Sequence, residues 1–308
     1  MCGIIGLHLK NPDLQPRLGE LLTQMLEAMT TRGPDSAGIA VYSDPPGFGS
    51  TAAGPAGAPV LRYSLRSDGP LDWELLGKRL AAETTSEVQV RPLGPDLAVL
   101  SSPADEALLL EAVRLAAPQV SVAGWGQSMV LVKDVGAPAD ICARYGIPGW
   151  GGYQGAGHTR MATESAVTTA HSHPFAPAAD LALVHNGSFS NYATVRRRLA
   201  RAGVTCDTDN DSEVAARLIA SRMAAGDGLE DALKTVFKEM DGFFTLLVTT
   251  RTQFAVVRDS FACKPAVIAE TSDYVAMASE YHALAGLPGI TSAEVFEPMP
   301  EEIHLWSR

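Results

Sequence analysis

The chain has 308 residues, a formal net charge of −11 and 46% hydrophobic side chains. That length suits roughly one to three domains, and that hydrophobic share excludes a disordered chain. The acidic balance, with no face dense in Lys and Arg, excludes a nucleic-acid binder, whose footprint must be positive.

The first segment, CGIIGLHL, reads as a buried strand stopped at Asn11-Pro12. Leu14, Leu18, Leu21, Leu22, Met25, Leu26 and Met29 then recur with the period of an amphipathic helix. Arg32-Gly33-Pro34-Asp35-Ser36 is turn chemistry, and AGIAVYS after it is a second strand. Residues 45–59 are almost all Pro, Gly and Ala and read as a linker or long loop. From about 60 to 136 the order is strand, helix, hairpin, helix and strands, the β-α-β-β-α-β signature of a split-βαβ subdomain. Here VSVAGW and MVLVKDV are grouped together as its closing strands.

Beyond 137 come a helix (ADICARYG), strand GHTRMAT, loop AHSHPFAPAAD and apolar strand LALVHNG. Three helices follow, at 191–202, 212–225 and 228–240, the second opened by an Asn210/Glu213 capping-box variant. Its neighbour carries the basic run Arg196-Arg197-Arg198, which reads as a solvated face or subunit contact. The hairpin FFTLLVTTRTQFAVVRDS, strands AVIAE and YVAMAS, a short helix and strand EEIHLW complete the chain. Many hairpins flanked by helices indicate sheet packed on sheet, covered by helices.

No apolar stretch reaches the length of a membrane span, and the N-terminus lacks the basic region of a signal peptide. Cys2, Cys142, Cys206 and Cys263 lie far apart, without zinc spacing. The expectation is a cytoplasmic, metal-free protein with reduced thiols.

One cysteine stands apart. Removal of Met1 would leave Cys2 carrying a thiol and a free α-amine, a minimal nucleophile and base on one residue. A buried small hydrophobe is the plainer reading. Asn186-Gly187, ending LALVHNG, offers a side-chain amide and a backbone N–H to one oxyanion, or an ordinary Asn-Gly turn. Arg160, followed by Thr163, suits capture of a free carboxylate, or a surface ion pair. Asp211 suits a substrate ammonium, or caps its helix. Together the four sites describe glutamine or asparagine: an attackable side-chain amide with a free α-carboxylate and α-ammonium.

The motifs MCGIIGL, TRGPDSAG, GHTRMAT, AHSHPF, HNGSFSNY, NDSEV, MDGFFTLLV and RDSFACKP occur in the order found in class II glutamine amidotransferases, which this chain resembles. The resemblance implies an α+β fold, the four-layer αββα sandwich of N-terminal-nucleophile hydrolases. One such domain would span 1–308, interrupted by the small inserted subdomain at about 45–136. It also implies roles: Cys2 as nucleophile, Asn186 and Gly187 as oxyanion hole, Arg160 and Thr163 on the α-carboxylate, and Asp211 on the α-ammonium. Arg32 would order the N-terminal strand, the loop from Arg160 to His173 would be a lid, and His171 and His173 would be loop structure.

Within the family the chain looks most like the glutaminase-like subunit of N-methylglutamate synthases (methylamine–glutamate N-methyltransferases) and of glutamate-synthase-like relatives. That likeness implies glutamine or glutamate as ligand, no cofactor in this chain, and FMN and an iron–sulfur cluster on a glutamate-synthase-like partner subunit. The competing expectations are a catalytically silent glutamine- or glutamate-binding scaffold and a glutaminase subunit of a glutamate-synthase-like complex.

Overall fold

The computed structural model describes residues 2–44, 59–161 and 167–308. In chain order these form β1 (Gly3–Leu9), α1 (Leu18–Ala28), β2 (Ser36–Tyr42), β3 (Leu61–Ser67), α2 (Trp73–Thr84), β4 (Gln89–Pro92), β5 (Leu97–Ser102) and α3 (Glu106–Ala116). Next come β6 (Val120–Gly126), β7 (Met129–Val135), α4 (Pro138–Arg144), β8 (Gln154–Arg160), β9 (Phe175–Ala178), β10 (Leu181–Phe189), α5 (Tyr192–Arg201), α6 (Asp211–Ala224) and α7 (Leu229–Glu239). The chain closes with β11 (Gly242–Thr249), β12 (Gln253–Arg258), β13 (Val267–Glu270), β14 (Tyr274–Ala278), β15 (Glu294–Phe296) and β16 (Ile303–Ser307).

Side chains alternate across a strand, so an apolar strand can serve two cores at once. In β1, Ile5, Leu7 and Leu9 pack with Leu18, Leu22, Met25 and Leu26 of α1. Ile4 faces the other way, into a core with Val184 of β10, Leu247 of β11, and Phe254 and Val256 of β12. In β10, Leu181 and Leu183 turn outward onto Val214 and Ile219 of α6 and Leu233 and Val236 of α7. A seven-stranded sheet (β15-β13-β14-β1-β8-β2-β7) thus lies on a five-stranded one (β16-β12-β11-β10-β9). With α1 outside the first and α6 and α7 outside the second, this is the four-layer αββα sandwich.

The insert is a separate four-stranded antiparallel sheet, β4-β5-β3-β6, the strand order of a split-βαβ unit. Its own core joins Leu76 and Leu80 of α2 to Leu109 and Val113 of α3, over Tyr63, Leu65, Ala98 and Leu100. Asp72 and Asp105 cap the two helices, accepting from Leu75 N at 2.9 Å and Leu108 N at 3.1 Å; each cap is worth about 1 kcal/mol. Arg62 Nη1 ties the insert back to the body by donating to Ser43 Oγ at 2.9 Å and Ser128 O at 3.1 Å.

Four local expectations need correction. Met129–Val135 does not close the insert's sheet; it pairs with β2 at the edge of the large sheet, where adjacency in sequence misled. The loop AHSHPFAPAAD contains β9, an edge strand, whose Pro177 hid it because proline is confined to sheet edges. The turn before Leu18 is 3-10 rather than α, with Pro12 and Pro16 inside it. Asn210 caps α6 by accepting from Ser212 N at 2.9 Å, but Glu213 turns away to accept from Asp207 N and Thr208 N at 2.8 and 2.7 Å. The linker at 45–59 lies outside the described residues save Pro59.

Candidate active site

The site is assembled by strand register. β1 and β8 run antiparallel with Gly3 opposite Thr159, which sets Cys2 beside Arg160. On the other side of β8, Ser36 of β2 stands opposite Arg160. Both Arg160 and His158 share the inner parity of Ala156, toward the second sheet. The turn TRGPDS packs directly on this corner: a Cβ on Gly33 would meet Arg160 N at 2.5 Å, so only glycine fits. Arg32, just before it, is buried and donates from Nε to Cys2 O at 2.9 Å and from Nη1 to Glu280 Oε1 at 2.5 Å.

Across the sandwich, Asn186 and Gly187 sit inside β10, opposite Thr245 and Phe244 of β11. They are a ladder segment, not a turn. Gly187 takes φ +155°, and a Cβ there would lie 2.1 Å from Phe243 O, so the residue is confined to glycine. Asn186 is 2% exposed, and its Nδ2 has no acceptor among the described residues.

A histidine cluster joins the two sheets here. His158 Nε2 lies 3.0 Å from His185 O, one residue before Asn186; facing a carbonyl, that nitrogen is the protonated one. His173 stacks on His158 with ring centroids 4.0 Å apart and meets His185 edge-on at 6.4 Å. Burial drives all three toward the neutral form, His158 down to about 3 and His173 well below its ordinary value. For His185 burial again dominates, opposed by Asp211. His171 lies apart from them, between Thr168 Oγ1 and Asp209 Oδ1, each at 2.7 Å.

Asp211 is the first residue of α6, and the cap role belongs to Asn210. One Asp211 oxygen accepts from Phe189 N at 2.8 Å, fastening the carboxylate to the end of β10. The other is 3.2 Å from Ser212 Oγ, which itself bonds His185 Nδ1 at 2.7 Å. Cys2 is half-buried. Burial pushes its thiol up, against a backbone hydrogen bond from Met161 and the charges of Arg160 and Lys264.

Cys2, Arg160, Arg32, Asn186, Gly187 and Asp211 therefore meet at one end of the sandwich, linked by β1/β8 pairing and by the His158–His185 tether. Thr163 and Met1 lie outside the described residues, as does part of the 160–173 loop. Lys264, whose carbonyl accepts from Thr245 Oγ1 at 3.1 Å, also stands near Cys2; its signal lies in the motif RDSFACKP. The histidines and Glu280 carried no sequence signal that paired them. Among the described residues no group of three or more His, Cys, Asp or Glu is placed to hold a metal, and no helix is long and apolar enough to cross a membrane.

The fold is one that this chain shares with a solved amidotransferase. The chain belongs to the glutamine amidotransferase family. It is 46% identical to the glutamine amidotransferase-like protein GlxB of Rhizobium meliloti (strain 1021), over 99% of this chain and 98% of that protein. A putative glutamine amidotransferase of Methanothermobacter thermautotrophicus is 31% identical over 99% of each. Residues 158–286 match the family description "glutamine amidotransferase domain". In fold, the chain superposes on glutamine phosphoribosylpyrophosphate amidotransferase from B. subtilis with TM-score 0.61 at 18% identity. That match covers all of this chain and 49% of the solved one, so the chain spans about half its length.

Proposed function

We propose that the chain hydrolyses the side-chain amide of glutamine and hands the ammonia to a partner. With Met1 removed, the α-amine of Cys2 takes the thiol proton while sulfur attacks the amide carbon. A base is needed because burial keeps this thiol protonated. Asn186 Nδ2 and the Gly187 N–H receive the oxyanion, and loss of one such donor typically costs about 10²–10³ in kcat. The ammonium of Cys2 then protonates the departing nitrogen, releasing ammonia and a γ-glutamyl thioester. Water hydrolyses the thioester to glutamate. Arg160 and Thr163 would hold the α-carboxylate and Asp211 the α-ammonium.

The observation that carries this reading is the buried, unpartnered amide of Asn186 on the strand tethered to Arg160's strand. The finer reading rests on the likeness of the motifs. In it the partner is a glutamate-synthase-like subunit carrying FMN and an iron–sulfur cluster. The complex would then convert methylamine and L-glutamate to N-methyl-L-glutamate and ammonia.

The test is glutaminase activity together with intact mass. The purified chain should lack Met1, be alkylated at Cys2 by a glutamine-mimicking diazo ketone, and lose activity as Cys2→Ala. An unreactive Cys2 with retained glutamine binding would instead establish a silent scaffold. Full activity with Met1 attached would remove the proposed base. Methylamine-dependent N-methylglutamate formation by the purified complex, absent without this chain, tests the finer reading.

A further inference from the structure

Away from the Cys2 site, a cavity of about 480 Å³ opens where the insert meets the body. Its lining includes Arg66 of β3, Trp125 of β6, Lys133 of β7, Phe175 of β9, and Asp207 and Arg217 near α6. A volume of that order suits a small organic ligand.

The charges within it are unevenly answered. Arg66 is paired with Asp96 and Asp134 at 2.8 and 3.1 Å. Arg217 is paired with Asp207 and Glu213 at 2.6 and 3.2 Å. Lys133 is 8% exposed, and among the described residues no carboxylate lies within ion-pair distance of it. Its Nζ donates to Ser172 O at 2.9 Å and Ala170 O at 3.4 Å and lies 4.9 Å from the Phe175 ring. An ammonium has three N–H donors, so one is left over. Burial pushes this ammonium down to about 8, outweighing the more distant charges of Glu213 and Asp207. Asp68 and Asp207, by contrast, are exposed beside the cavity.

We propose that this cavity binds a small organic anion, its carboxylate or phosphate on Lys133 and its hydroxyl or amino donors toward Asp68 and Asp207. Trp125 and Phe175 wall the space between. The same lysine holds Ser172, next to His173 of the histidine cluster, so an occupant touches both the insert and the loop that leads to the Cys2 site. The assignment stands independently of the glutaminase reading, because binding alone tests it.

The full chain is titrated calorimetrically with gluconate and with ribose 5-phosphate, the first arm supplying a carboxylate and the second a phosphate; sorbitol and ribose serve as uncharged controls. Saturable binding of one anion near or below about 1 mM is expected, with no heat from its neutral counterpart. Lys133→Met should weaken it by about tenfold or more, as for loss of a charge-assisted bond. Ser121→Trp, at an exposed lining position, should block it without disturbing any core. Arg160→Ala should leave it unchanged. Silence from both anions up to about 10 mM overturns the proposal. So does undiminished binding in either cavity variant, or loss of binding in Arg160→Ala, which would place the anion in the Cys2 site.

Discussion

The apolar core between the two sheets ends in polar residues on both sides, and the two ends are built differently. At the far end of β1 and β8, His8 Nδ1 and Gln154 Oε1 lie 2.9 Å apart, and Gln154 Nε2 donates to Thr250 O. Nearby, Tyr42 Oη reaches Thr249 Oγ1 at 3.0 Å. At the Cys2 end, Asn186 Nδ2, His158 Nδ1, both ring nitrogens of His173, His185 Nε2 and Arg32 Nη2 have no partner among the described residues. A buried polar group left unpaired is costly, so a folded chain keeps several together only where something else completes them. The paired end is structure. On the proposed function, the unpaired end is a receiving site.

The sharpest way to break that contrast is Asn186→Leu. If the amide waits for an oxyanion, its removal should lower kcat by about 10²–10³ while leaving the fold as stable as before or more so. Equal losses of activity and stability would mean that the amide is structural. The reciprocal change is Gln154→Leu, which strands His8 Nδ1 and Thr250 O. It should cost about 1–3 kcal/mol in urea unfolding without altering kcat per folded molecule. A drop in kcat with unchanged stability would erase the distinction between the ends.

These two strands also show what the sequence could and could not tell. The inner and outer faces of β1, β8 and β10 follow from alternation, and Cys2, Arg160 and Asn186 were legible because each has a chemistry of its own. The insert's β-α-β-β-α-β succession was legible in the sequence, but which of its strands pair was not. The His158–His173–His185 cluster was invisible, because its members come from three segments and nothing in a linear pattern pairs them. β7 was misassigned for the mirrored reason: its neighbour in the sheet, β2, is remote in sequence, while its neighbour in sequence, β6, belongs to another sheet.

The neutral histidines sharpen the contrast by pH. Below about 6.5 an unfolded chain protonates these rings, whereas folded His158 refuses the proton until about 3. Stability attributable to them is therefore intact above pH 6.5 and falls as pH drops through that window. At pH 5 the loss is about 2 kcal/mol for one such ring. His158→Gln should flatten the stability–pH curve between 6.5 and 4 by about that amount at pH 5, measured by denaturant titration. An unchanged slope would mean that His158 takes up its proton without resistance.

The smallest effect expected is at Arg32, and it separates two interactions that share one guanidinium. Its bond to Cys2 O is part-buried, whereas Glu280, its ion-pair partner, has a side chain 44% exposed. An ion pair that open to water contributes little, about 0–1 kcal/mol. On the proposed function, the Cys2 contact fixes the backbone from which the thiol and the freed amine would project, where a small misplacement slows chemistry more than binding. Arg32→Lys, which cannot keep the fork geometry, should lower kcat about three- to tenfold, roughly 1 kcal/mol, with KM little changed. Glu280→Gln should leave both constants nearly untouched. If instead the two variants fall equally, the ion pair holds the strand, and Arg32 acts through Glu280 rather than on Cys2.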